Sequence, residues 1–251
     1  MAGGGLGGSP RWAEGDDLAV PLGRPVGVVS LHGQLPPLAW ALAAARPGTR
    51  LGFVQTPGGA LPGGHSRTVT DLRARGLLAG FLTAGPAYGG EGEAISVPGA
   101  IHHGLHDLGR EAVVCGPGPG ILGSGSALGH GGMVALDSAH GALALGCEVV
   151  LCARMSSGDP RPRHRGLSHH ARTVLELLLA PVIVAVPAGH GGEVAAGDRG
   201  HTVVELDADL DGYAASGLPA RTMGRPLADD RLFFAAALAA GTALAGRIQP
   251  S

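Results

Sequence analysis

At 251 residues, 45% hydrophobic and only 15% charged, the chain holds enough apolar material for a sizeable core and is not of disordered composition. Its net charge of −2 offers no general attraction to nucleic acid or to an anionic membrane surface. All 18 side chains in the Lys and Arg class are Arg, which excludes a Schiff-base lysine, a pyridoxal phosphate anchor and a Walker lysine. Any anion must be met by guanidinium, backbone N–H or imidazole groups.

Residues 1–22, rich in Gly, Ser and Pro, read as a flexible tail, with a single α/β domain over residues 23–251. Strands are expected at 25–31, 51–55, 79–83, 111–115, 147–154, 181–186 and 202–206. Helices are expected at 36–46, 68–78, 95–108, 133–145, 168–179 and 229–247. Short continuous apolar strands separated by helices predict a mostly parallel, Rossmann-like sheet with helices on both faces. Right-handed crossovers gather the strand C-termini, and with them His32, Gly116 and residues 154–157, on one edge.

Cys115, Cys147 and Cys152 sit in or beside apolar runs and read as core thiols; an odd count without a CxxC pair suits a reducing compartment. Residues 1–17 lack a basic start and an apolar stretch, so no secretory signal is expected. The apolar run 232–246 is too short for a membrane span, and a soluble cytoplasmic protein is expected. That Ala-rich run permits close helix packing, within the chain or across a homo-oligomer interface.

Two loops concentrate the chemistry. In residues 116–132, Gly118, Gly120 and Gly123 satisfy G-x-G-x-x-G after a strand, with Ser124 and Ser126 as further donors to a phosphate. Pro117 and Pro119 remove two backbone donors, and Arg154 stands where dinucleotide sites carry an acid, so an oxyanion suits the turn better than a nicotinamide. Residues 156–170 pack Arg161, Arg163 and Arg165 with Asp159, His164, His169 and His170. Ser168 is expected as an N-cap, placing His169 and His170 on a first helical turn, where positive charge calls for a compensating anion.

His32, just past the first strand, is a candidate general acid or base. His102, His103 and His106 read as surface or packing residues. No HExxH pair occurs, and consecutive helical histidines diverge by about 100°. A zinc site from His32, Asp159, His164 and His169 is the competing use. Ser30 and Ser168 lack a nucleophile-elbow context.

At Leu31-His-Gly-Gln-Leu35, Gly116-Pro-Gly-Pro-Gly-Ile-Leu-Gly-Ser-Gly-Ser126 and Asp159-Pro-Arg-Pro-Arg-His-Arg-Gly-Leu-Ser-His-His170 the chain resembles the bacterial domain of unknown function family 3866. The likeness runs from about residue 25 to residue 187. It implies a cytoplasmic protein from a GC-rich bacterium, and it implies no established reaction. Members carry a further β-rich segment where this chain has its Gly-rich tail, which leaves room for a drifted role such as a tailoring step in biosynthesis.

Three functions fit. The first is an enzyme on a small anionic molecule bearing phosphate or carboxylate. The Gly118–Ser126 backbone and the three loop arginines would hold the anion, histidines would move protons, and Asp159 would orient an imidazole. The second is a zinc-dependent hydrolase or lyase, and the third a non-catalytic sensor of a nucleotide-like ligand. The sequence identifies no cofactor.

Overall fold

A computed structural model describes residues 17–195 and 199–249. The first strands are β1 (Pro25–Val29), β2 (Leu51–Thr56), β3 (Gly80–Ala84), β4 (Gly92–Ala94), β5 (Ala112–Pro117) and β6 (Glu148–Cys152). A small antiparallel ladder of β7 (Met155–Ser156) and β8 (Gly166–Leu167) follows, then β9 (Ile183–Pro187) and β10 (Thr202–Leu206). Apart from that ladder these strands form one eight-stranded sheet in the order β10-β9-β6-β1-β5-β2-β3-β4, parallel throughout. The α/β, Rossmann-like class expected from the strand spacing is the one observed.

The helices are α1 (Leu35–Ala45), α2 (Arg67–Ala74), α3 (Val97–His102), α4 (Val134–Ala144), α5 (His169–Leu177), α6 (Gly192–Ala195), α7 (Leu210–Ala215) and α8 (Arg231–Ala245). One sheet face is covered by α3, α4 and α5 through residues such as Ile101, Ala139 and Val174. The other is covered by α1, α2 and α8 through Leu38, Leu72 and Phe234. Strands β1 and β5 are buried along their whole length, which is why both read as unbroken apolar runs rather than alternating ones.

Helix α8 lies against α1, and a Cβ at Gly241 would fall 2.2 Å from the Leu38 carbonyl oxygen. The two backbones approach more closely there than any larger residue allows. Because α8 buries twelve residues within the chain, its Ala-rich surface is used internally. No helix among the described residues is long and apolar enough to cross a membrane.

Several boundaries differ from the sequence-based expectation. The expected helix over 95–108 is the short α3 continued by a π-helical turn, His103–Asp107. The short edge strand β4, α6, α7 and a hairpin of β11 (Arg221–Thr222) and β12 (Arg225–Pro226) carry too little apolar periodicity to be anticipated. Of the expected tail, residues 1–16 lie outside the described residues, whereas the chain just before β1 is docked. The Ala19 N–H donates to His102 Nε2, and the Leu22 N–H donates to the Leu145 carbonyl.

The fold positions a site by its connections. From β1 the chain crosses over β5 by way of α1 on one face, and from β5 it crosses over β1 by way of α4 on the other. The order therefore reverses beside β1, and the carboxyl ends of β1, β5 and β6 open a crevice of the kind in which such sheets bind ligands.

Candidate functional site

A cavity of about 380 Å³ opens at that crevice. Its walls draw on the end of β1 (Leu31, His32), the Gly-rich loop (Gly118–Ser124), the strand exit at Arg154 and the Arg/His loop (Arg161, His164). His170 and the β11–β12 hairpin complete them. The two loops thus face one another across shared space. A Cβ at Gly123 would lie 3.4 Å from His170 Cε1, and one at Gly125 would lie 4.0 Å from the Arg163 guanidinium carbon.

The Gly-rich loop is fixed by packing and by its own hydrogen bonds. Gly118 is packed against the Gln55 amide, and Gly120, at φ +88°, leaves room only for Ala60. The loop then makes a small hairpin, in which Ser124 N–H donates to the Gly129 carbonyl and Gly131 N–H to that of Leu122. The Ser124 and Ser126 hydroxyls are engaged with each other and with loop N–H groups. Helix α4 begins only at Val134, so the glycines do not deliver a helix N-terminus to a ligand. Gly118 and Gly120 are in close contact with the end of β2 and the loop after it, whereas Gly123 faces His170.

His130, at the end of this loop, is one of the residues that sequence reasoning missed. Its ring stacks on His170 at 3.6 Å between centroids and 9° between planes. His164 lies 4.9 Å from His169 and 4.8 Å from His170. His169 and His170 are consecutive in α5, yet their rings meet at 4.3 Å. The divergence expected of helical neighbours is overcome because both sit on the first turn, where side chains lean back toward the loops. Ser168 is the N-cap, its Oγ accepting from His170 N–H and pairing with His164 Nδ1 at 2.7 Å.

Arg154, 4% exposed, is the charged centre of the site. Its Nη1 donates to His170 Nδ1 at 2.7 Å, and its Nη2 reaches the Met223 sulfur at 3.8 Å. An arginine can only donate, so His170 Nδ1 must accept and the proton of the neutral ring rests on Nε2. That Nε2 is buried without a hydrogen-bond partner, as are Arg154 Nε, His169 Nε2 and both ring nitrogens of His130. Each such group costs about 1–3 kcal/mol if left unmet.

Asp159 was expected to orient an imidazole and instead serves arginines. Fully buried, it accepts from Arg161 Nε at 2.9 Å, Nη2 at 2.8 Å and the Arg161 backbone. Arg225 and Arg154 stand 3.6 and 3.8 Å from Oδ2. The hydrogen bonds from Arg161 hold the carboxyl well below the usual carboxylate range. Asp230 accepts from Arg225, the Ser156 hydroxyl and the Ser157 and Gly158 N–H groups, tying the Arg/His loop to the start of α8. Burial lowers Arg154 to about 10, partly opposed by Asp159.

The remaining expected site residues are less central. His32 has both nitrogens engaged, Nδ1 with the Pro117 carbonyl at 3.1 Å and Nε2 with Ser66 Oγ at 2.8 Å. Ser66 in turn caps α2 by accepting from Val69 N–H, so His32 ties the end of β1 to the Gly-rich loop and to the start of α2. Arg163 is exposed at the rim, and Arg165 is exposed with its Nε donating to the Asp159 carbonyl. The expected zinc set does not assemble, because His32 and Asp159 are both committed elsewhere. His164, His169 and His170 do each bring a potential ligand atom within 4.8 Å of the others.

Burial depresses all four clustered imidazoles. His164 falls to about 4, chiefly by desolvation and then by Arg154 and Arg161, and His170 lies lower still for the same leading reasons. His130 and His169 are also lowered, first by burial. An unfolded histidine takes up its proton near 6.5, whereas His164 resists until about 4, so between those values the unfolded chain binds more protons. Stability is therefore full above pH 6.5 and is lost as the pH falls. Each such imidazole contributes a slope of up to about 1.4 kcal/mol per pH unit. Thermal melts from pH 7.5 to 4.5 should show Tm dropping steadily below 6.5; a flat profile would contradict neutral histidines.

A family model described as "Protein of unknown function (DUF3866)" matches residues 12–241. The chain belongs to this family. No curated protein and no solved structure matches it. Within this DUF3866 chain the match takes in every element that lines the cavity, from β1 to the hairpin before α8. The family description assigns no reaction, so the chemistry must be read from the cavity itself.

Proposed function

We propose that the chain is an enzyme acting on a small molecule that carries an oxyanion, phosphate or carboxylate, bound where the two loops meet. The observation that carries this reading is the set of unmet donors beside an excess of positive charge. Arg154, Arg161 and Arg225 are balanced by only two carboxylates, Asp159 and Asp230. His170 Nε2–H and Arg154 Nε–H are buried without acceptors, on two residues that line the cavity. An oxyanion supplies both the acceptors and the negative charge. Arg154, together with Arg161 and His170, would hold it, and the neutral imidazoles of His164 and His169 would give and take protons during turnover.

Calorimetric titration with inorganic phosphate tests this. Parent protein should bind one equivalent, and His170→Phe, which keeps the ring stack on His130, should bind about ten-fold more weakly. Equal affinity in the two proteins would set the reading aside.

The clustering of three imidazoles supports a second reading, a zinc-dependent hydrolase or lyase using His164, His169 and His170. It requires an unprotonated Nε2 on His170, where the Arg154 hydrogen bond favours the protonated one. It also requires the ligand nitrogens to close to about 3.3 Å of one another for tetrahedral bonds of 2.0–2.1 Å. Metal analysis of untagged protein separates the two: near-stoichiometric zinc favours the second reading, and less than about a tenth of an equivalent favours the first.

A further inference from the structure

The β11–β12 hairpin turns on two residues, Met223 and Gly224, both at positive φ (45° and 82°). Tight hairpins of this pattern favour Asn-Gly or Gly-Gly, because a left-handed backbone is unfavourable for a side chain of ordinary bulk. Met223 is the sole non-glycine residue at positive φ among the described residues, and it gains no core burial in return, being 48% exposed. Its side chain instead reaches into the cavity. The thioether sulfur takes Nη2 of Arg154 at 3.8 Å and Nη2 of Arg161 at 3.7 Å. A thioether is a weak acceptor for two guanidinium groups, and it stands where a stronger, anionic acceptor would satisfy both.

Around Met223 the cavity has a second, apolar wall. Leu31 and Phe233 line it together with Ile121 and Leu122 of the Gly-rich loop. Leu122 is 85% exposed at the mouth, although the chain buries most of its other leucines. A purely polar ligand would leave this wall wet. A molecule with an oxyanion at one end and an apolar body at the other would satisfy both sides.

We infer that the substrate is amphipathic, an alkyl or aryl oxyanion whose head displaces the Met223 sulfur from Arg154 and Arg161 and whose apolar body packs against Met223, Ile121, Leu122 and Phe233. The inference rests on the oxyanion reading above and adds the nature of the rest of the molecule. Met223 is then a specificity-determining residue: a placeholder over the guanidinium groups when the cavity is empty, and a hydrophobic contact when it is filled.

Calorimetric titration of the full chain with methyl phosphate, hexyl phosphate, acetate and hexanoate tests it. The phosphate and carboxylate pairs distinguish the two head groups. In the better pair the six-carbon ligand should bind the parent protein about ten-fold or more tightly than its one- or two-carbon counterpart. Met223→Asn places the preferred residue in the turn, so the hairpin persists while the apolar contact goes. This variant should bind the short ligand at least as tightly as the parent, and the advantage of the long chain should shrink to about two-fold or less. Short and long ligands binding alike to the parent, or a chain-length advantage that survives Met223→Asn, would overturn the inference while leaving the oxyanion site standing. Absence of binding by all four would overturn both.

Discussion

Asp159→Ala should destabilise the protein by about 3–5 kcal/mol, because it removes the one carboxylate beside buried Arg154 and the bidentate partner of the more exposed Arg161. The carboxylate is fully buried, accepts a bidentate pair from Arg161, and lies within 4 Å of both Arg154 and Arg225. Asp159→Asn should be nearly as damaging, since its amide preserves shape but turns one acceptor into a donor facing arginine. Urea unfolding monitored by circular dichroism reads the loss directly. The oxyanion reading adds a further expectation: phosphate should restore part of the lost stability, because it replaces the missing charge from the cavity side. A variant within about 1 kcal/mol of the parent would show that the arginines are solvated rather than held by Asp159.

Arg154→Met should act the other way round, sparing the fold and sharply weakening ligand binding. Arg161 and Arg225 remain to balance Asp159 and Asp230, so no buried carboxylate is left alone. Removing a desolvated charge and filling its volume with an apolar chain is neutral or mildly stabilising. Binding, however, loses a buried charge-assisted donor and the group that fixes the tautomer of His170. Phosphate affinity should fall about 100-fold, the loss of a hydrogen-bonded charge at about 3 kcal/mol. His170 should also titrate closer to its ordinary value, since Arg154 is the second cause of its depression after burial. Parallel calorimetry and melting curves check both halves. Retained affinity, or a collapse in stability equal to that of Asp159→Ala, would contradict the assigned role.

The parts of this architecture that were legible from sequence follow from burial. Strands β1, β5 and β9 are apolar runs because parallel strands covered on both faces have no wet side, and the helices between them complete the signal. The crowding of β1, β5 and β6 exits on one edge follows from crossover handedness alone, which is how the two loops could be paired before any coordinates. Ser168 announced the helix that carries His169 and His170 by its capping chemistry.

What stayed hidden was set by contacts distant in sequence. His32 lies at the right edge, but nothing local reveals that Ser66 and Pro117 occupy its two nitrogens. The glycine spacing matched an anion-binding turn, but nothing local reveals that Gly118 and Gly120 crowd against Gly59 and Ala60 of the neighbouring loop. Asp159 sat among histidines in sequence and among arginines in space, one of them Arg225 from the far end of the chain. Arg154 and His130 had a usable signal, since both flank strand or helix ends on the ligand edge. Met223 had none.

In the oxyanion reading the imidazole cluster is neutral and the His170 proton rests on Nε2. Nitrogen-15 histidine spectra of chelator-treated protein at neutral pH read both the charge and the tautomer of each ring. Four neutral rings are expected in the cluster, with the His170 proton on Nε2 and its resonances moving on addition of phosphate. A His170 proton on Nδ1, with shifts that appear only when zinc is supplied, would contradict it.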